Sequence, residues 1–165
     1  MKVISKQTNS RYCVICGIEN PFGVNANFYN MEDESVCALL TFKKEHRSYP
    51  ERVHGGMITA LLDELAGRAI WVKNPELLGV TMTMEVKFRK PVPYGEKLIG
   101  VGKITQLKQR TFTAESKLYD QHKTLLAECT GSYMILPADK ICEPDKMDGE
   151  DYNLVIPDGL TEIDI

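Results

Sequence analysis

The sequence predicts an α+β fold in which an antiparallel β-sheet wraps one long central helix. Three observations carry this. Over residues 55–73, apolar side chains occupy most of the helical circumference, so that helix must be enclosed rather than laid on a surface. Downstream, apolar and polar residues alternate with a period of two over several stretches bounded by turn residues. The chain has 165 residues, 43% of them hydrophobic, which is the size of one domain that builds a core without disulfides.

Residues 24–29 and 35–42 read as strands ahead of the helix. In the helix, Met57, Ile58, Ala60, Leu61, Leu62, Leu65, Ala66, Ala69, Ile70 and Val72 supply the apolar surface, and Asn74-Pro75 supplies the stop. Next, Met82, Met84, Val86 and Phe88 alternate with Thr81, Thr83, Glu85 and Lys87. Residues 98–107 form a further strand, and Phe112, Ala114, Ser116 and Leu118 alternate with Thr113, Glu115 and Lys117. Residues 125–136 are apolar enough to be buried on both faces. Pro91, Pro93-Tyr94-Gly95 and Asp120-Gln121-His122 mark the turns.

Charge and composition narrow the function. A net charge of −3 does not suit a general nucleic-acid binder. The longest apolar run, residues 36–40, falls far short of the ~20 residues of a membrane helix. The first residues lack the apolar stretch of a signal peptide, and five cysteines read as thiols of a reducing cytosol, so a cytoplasmic location is expected. From Pro137 onward nine acids face two bases, a charge of −7 that leaves +4 on residues 1–136. We therefore divide the chain into a main domain, 1–136, and an acidic extension, 137–165, partly ordered at most. Its acids are expected to be solvated, with anchorage at Leu154-Val155-Ile156. A mildly basic body suits a small polyanionic ligand better than it suits DNA.

The chemistry concentrates where the helix begins. His54-Gly55-Gly56 opens it, although a glycine inside a helix costs about 1 kcal/mol against alanine. Bare backbone there is either a tight loop-to-helix junction or a cradle whose N–H groups polarise a carbonyl. Asp63 lies mid-helix among leucines with no cation three or four residues away, so it must reach solvent, a counter-charge or a site. Beside a polarised carbonyl it would serve as general base or nucleophile. Glu64 reads instead as a solvated acid paired with Arg68 one turn on. For His54 we favour loop orientation by hydrogen bonding over a role as base or ligand. Cys13-Val14-Ile15-Cys16 could open a zinc site, but no second pair follows, and no metal is expected. Met57, Met82 and Met84 are candidates for a pocket lining or for plain core.

Pro50-x-x-Val53-His54-Gly55-Gly56 followed by Leu61-Leu62-Asp63-Glu64 resembles the helix signature of hot-dog-fold acyl-CoA thioesterases, in the branch related to the phenylacetic-acid-pathway enzymes. The similarity extends through Gly79-Val80-Thr81 and Phe88-Arg89-Lys90-Pro91-Val92-Pro93-x-Gly95 to the last strand. It also takes in Cys13-x-x-Cys16-Gly17-x-x-Asn20-Pro21-x-Gly23. It implies a sheet wrapped round one helix and hydrolysis of an acyl-CoA thioester without a cofactor, coenzyme A entering as part of the substrate. By the same resemblance, Gly55 N–H would polarise the thioester carbonyl, Asp63 would be the catalytic carboxylate and Thr81 would help hold the water. Ser48 stands where some relatives place a water-orienting asparagine. His54, Gly56, Ser48, Arg89 and Lys90 are the expected substrate-binding residues. Lys87, Lys108 and Arg110 are further candidates for the nucleotide phosphates.

Gly55 and Asp63 are eight residues apart, roughly 12 Å along a helix. One carbonyl cannot touch both from the same chain, because each contact needs about 3 Å. An antiparallel pair of helices across a two-fold axis would bring each Asp63 to the other chain's Gly55, so a homodimer or dimer of dimers is expected. Two other functions stay open: an acyl-CoA-sensing module without catalysis, and a hot-dog hydratase or dehydratase using His46 and Glu64.

Overall fold

The structure, a computed structural model, describes residues 1–141 and 153–165. Seven strands form one antiparallel sheet: β1 (Val3–Lys6), β2 (Asn27–Met31), β3 (Val36–Leu40), β4 (Leu77–Phe88), β5 (Leu98–Leu107), β6 (Thr111–Asp120) and β7 (Leu125–Pro137). Their order across the sheet is β1-β2-β3-β5-β6-β7-β4. Among the described residues there is a single α-helix, α1 (Gly55–Gly67), which packs on one face of the sheet against β7, β6, β4 and β5. This is the predicted wrapped-helix architecture. Strand β1 was not read from the sequence, because Val3-Ile4-Ser5-Lys6 is short and has no turn residues beside it.

Helix α1 buries Ile58, Leu61, Leu62, Leu65 and Ala66. Truncating one such leucine to alanine typically costs 2–5 kcal/mol. The sheet comes close enough to enclose the helix because β5 carries Gly102, where a Cβ would lie 2.7 Å from the Leu65 carbonyl oxygen. Ser116 Oγ on β6 donates to the Leu62 carbonyl at 2.8 Å, a buried tie between helix and sheet.

The helical segment is shorter than its apolar pattern predicts. After Gly67 it tightens into a 3-10 turn, Arg68–Val72. Consecutive side chains of such a turn stand about 120° apart, so the burial of Arg68, Ala69, Ile70 and Trp71 in succession means that the turn is enclosed on every side. The expected burial of residues 125–136 on both faces also needs correction. In β7, Ala127, Cys129, Gly131 and Tyr133 are buried while Thr130 and Met134 are exposed, so only the face toward α1 is enclosed.

Strand β4 ends the sheet, and its register against β7 slips between Thr81 and Thr83, a bulge at Met82. Gly79 and Thr81 face the helix before the bulge; Met84 and Val86 pack on the core after it. Met82 itself is 53% exposed and lines no core, unlike Met57 and Met84.

The C-terminal residues 153–165 lie along β1 and the outer sheet face. Ile163 is buried with Tyr29, Met31 and Cys37, and Met1 donates through its terminal ammonium to the Ile163 carbonyl at 2.6 Å. Asp158 accepts from the Tyr29 hydroxyl at 2.6 Å and pairs with Lys6 at 2.9 Å. Leu154 bridges to Asn9, whereas Val155 and Ile156 are exposed. Glu143, Asp145, Asp148, Glu150 and Asp151, expected as solvated acids, lie outside the described residues. Among the described residues no helix is long and apolar enough to cross a membrane.

Candidate active site

His54 is the N-cap of α1. Its Nδ1 accepts from Gly56 N–H at 2.9 Å, its carbonyl accepts from Met57 and Ile58, and its own N–H donates to the His46 carbonyl. Gly56 follows from this cap, since a Cβ there would come within 3.0 Å of the imidazole. With Gly56 N–H engaged, Gly55 N–H is the donor left open at the helix start; among the described residues it has no acceptor. Gly55 lines a recess of about 340 Å³ whose walls also include Ser48, Arg52, Phe88, Arg89 and Lys90.

Asp63, about two turns further along the helix, lines a separate recess of about 350 Å³, with Gly67, Trp71, Gly79, Thr81 and Tyr133 among its walls. Thr81 Oγ1 donates to Asp63 Oδ1 at 2.8 Å, and the Tyr133 hydroxyl donates to the same oxygen at 3.2 Å. Burial and the Asp63 charge hold the Tyr133 phenol well above the ordinary tyrosine range, so it stays a donor. Among the described residues Oδ2 of Asp63 has no hydrogen-bond partner and is open to a ligand. A carboxylate fixed through one oxygen and open at the other is poised to accept a proton or to attack a carbon.

Tyr133 was missed at the level of sequence. It sits 70 residues from Asp63 in a strand that reads as core, and its ring stacks on Phe112 at 4.9 Å. The available signal was the chemistry of a buried tyrosine, whose hydroxyl requires a partner.

The remaining expected residues divide. Ser48 is exposed at the rim of the Gly55 recess, its backbone N–H held by the Arg52 carbonyl. Arg89 is bound to Glu128 through two of its nitrogens, and Lys87 pairs with Glu85 at 3.0 Å. Lys90 lines the Gly55 recess with no carboxylate partner among the described residues. Lys108 stands apart, near Met82 and Ser132. His46 is buried with both ring nitrogens committed to backbone: Nδ1 accepts from Lys43 N–H, and Nε2 donates to the Phe22 carbonyl. That role is structural and gives the hydratase reading no base. Glu64 does pair with Arg68, at 2.8 Å, but not on a solvated stripe. Arg68 is only 6% exposed, with its guanidinium over the rings of Phe28 and Trp71.

Residues 51–127 match the family model described as the Thioesterase superfamily. The chain is 22% identical over 116 residues to the acyl-coenzyme A thioesterase THEM4 of Rattus norvegicus. That match covers 70% of this chain and 49% of the relative, so the chain spans about half the length of the curated relative it matches. Among solved structures it is similar to smu.793 of Streptococcus mutans bound to acetyl-CoA, with a TM-score of 0.62 and 19% identity over 68% of this chain and 90% of that one. It is likewise similar to the E. coli PaaI protein of the phenylacetic acid degradation operon, with a TM-score of 0.62 and 16% identity over 68% of this chain and 80% of that one. The fold is the hot-dog fold, and the resemblance to PaaI-like thioesterases read from the sequence holds.

Proposed function

We propose that this chain, a hot-dog protein similar to acyl-CoA thioesterases, hydrolyses an acyl-CoA thioester to the free acid and coenzyme A. The site is shared by two copies of the chain. The observation that carries the reading is the pair of unsatisfied groups on one helix: Gly55 N–H at its start, and Asp63 Oδ2 eight residues on in a different recess. Each is half of a hydrolytic centre, and roughly 12 Å of helix keeps them apart within one chain. An antiparallel second helix supplies to each half what it lacks.

In the assembled site Gly55 N–H donates to the thioester oxygen, and the helix dipole behind it favours the negative charge that develops there. Asp63 takes a proton from water, whose oxygen attacks the carbonyl carbon; the tetrahedral intermediate then expels the coenzyme A thiolate, which picks up the proton. Direct attack by Asp63, followed by hydrolysis of the acyl-aspartyl anhydride, uses the same groups. The Thr81 hydroxyl donates its hydrogen bond to Asp63 Oδ1, which leaves its oxygen lone pairs to hold the water. Lys90 lies where the nucleotide phosphates would approach the Gly55 recess. The match of residues 51–127 to the Thioesterase superfamily and the acetyl-CoA held by smu.793 support this substrate class.

A panel of acyl-CoA thioesters assayed with a thiol reagent tests the reading. Thiol release that depends on Asp63 is the expected result. Tight binding of every acyl-CoA without release would mark a sensing module, and loss of enoyl absorbance without free thiol would mark a hydratase; either overturns the proposal.

A further inference from the structure

Cys13-Val14-Ile15-Cys16-Gly17 is not used by the site above, yet it folds into a tight knuckle. Gly17 N–H donates to the Cys13 carbonyl at 2.9 Å, and a Cβ on Gly17 would lie 2.3 Å from that oxygen, so only glycine closes the turn. Closure aims two backbone donors, Ile15 N–H at 3.2 Å and Cys16 N–H at 3.4 Å, at the Cys13 sulfur. The two cysteines differ in access: Cys13 is half-buried, while Cys16 is 2% exposed and touches Ser10 Oγ at 3.5 Å. The Glu64 carboxylate comes from α1 to lie within 4.8 Å of both sulfurs, with Arg68 as its counter-charge.

We propose that Cys13 and Cys16 form a thiol–disulfide exchange site that takes a low-molecular-weight disulfide, with Cys13 as the attacking sulfur and Cys16 as the resolving one. The Cys13 thiolate attacks one sulfur of RSSR; that S–S bond breaks, RS⁻ leaves and a Cys13–R mixed disulfide remains. Cys16 gives its proton to Glu64 and attacks the Cys13 sulfur, expelling the second RS⁻ and forming the Cys13–Cys16 bond. The protein pair loses two electrons, RSSR gains two, and the proton on Glu64 passes to a released thiolate.

Local electrostatics agree with these roles. The Cys16 thiol, together with the two backbone donors, brings Cys13 down to about 6 against the opposing effects of burial and Glu64. Cys16 is pushed far up by its hydrogen bond to Cys13 and by burial, so in the reduced pair it keeps its proton. Cys37, in contrast, is pushed up to about 12 by burial alone and is inert.

The test uses the full reduced chain with glutathione disulfide as probe and mass spectrometry as readout. The wild type is expected to lose two hydrogens, with fragmentation locating the bond between Cys13 and Cys16. Cys16→Ser is expected to stop with one glutathione on Cys13, and Cys13→Ser to take up none at Cys16. At pH 6 Cys13 should react with iodoacetamide about ten-fold faster than an unperturbed thiol, the lower nucleophilicity of an acidic thiolate included. This measurement and the wild-type bond mapping decide the matter even if Cys16→Ser fails to fold. Glutathione on Cys37, Cys129 or Cys142 with Cys13 untouched would overturn the proposal. So would one zinc ion per purified chain that shields both cysteines until a chelator is added.

Discussion

The Tyr133 hydroxyl and Asp63 Oδ1 are joined at 3.2 Å across the buried face of β7, on the same oxygen that accepts from Thr81. Two neutral donors therefore fix the carboxylate through one oxygen. Tyr133→Phe keeps the ring stacked on Phe112 and removes only the donor. A hydrogen bond to a charged group is worth about 1.5–3 kcal/mol, so if the bond acts on the reaction kcat should fall roughly ten-fold or more with KM little changed. Asp63→Asn should cost at least ~100-fold. Unchanged kcat in Tyr133→Phe would remove Tyr133 from the site.

Subunit complementation measures the shared site. His54 has φ −63° and ψ 133°, a backbone that accepts a following proline, and a Cβ at Gly55 meets Phe88 only at 3.4 Å. Gly55→Pro should thus fold while losing the open N–H. Mixing it with Asp63→Ala and allowing exchange creates heterodimers in which one site is intact and the other carries both lesions. Random exchange should restore about a quarter of wild-type activity. Heterodimers seen by native mass spectrometry without any activity would place both groups in one chain's site.

Lys90 is the base to test for the nucleotide. Arg89 and Lys87 are already held by carboxylates, whereas Lys90 lines the Gly55 recess with none. Lys90→Ala should raise KM several-fold with kcat nearly unchanged, and the wild-type KM should climb with salt while the variant's climbs less. Equal salt slopes would send the phosphates elsewhere.

Asp158 gives a pH-dependent prediction for the C-terminal segment. The Tyr29 hydroxyl first, and then Lys6, hold its carboxyl at about 2, below the ordinary ~3.9. A depressed folded-state value means the stabilisation is full above about pH 4 and is lost as pH falls toward 2. The melting-temperature gap between wild type and Asp158→Asn should therefore be constant near neutrality and close over that window. Since the carboxylate is 37% exposed, the gap should be small. No gap near neutrality would assign the anchorage to Ile163 and the backbone instead, and a gap undiminished at pH 2 would deny the carboxylate charge any part in it.

The sequence by itself determined the enclosed helix, its start at His54-Gly55-Gly56 and the isolation of Asp63 among leucines, but not its end, which falls at Gly67 where a 3-10 turn takes over. Each of these is set by residues within a turn or two of one another, where spacing and capping chemistry act directly. The partners of Asp63 were decided by tertiary structure. Read as plain alternation, β4 puts Thr81 on the face of Thr83, Glu85 and Lys87, away from the core. The slip at Met82 against β7 reverses that phase and turns Thr81 toward the helix. Tyr133 reaches Asp63 only because β7 lies between β6 and β4 in the sheet. Arg68 and the contacts of Asp158 with Tyr29 follow the same rule. Strand register and packing between distant segments depend on the whole set of neighbours, and a one-residue slip carries no mark in local composition.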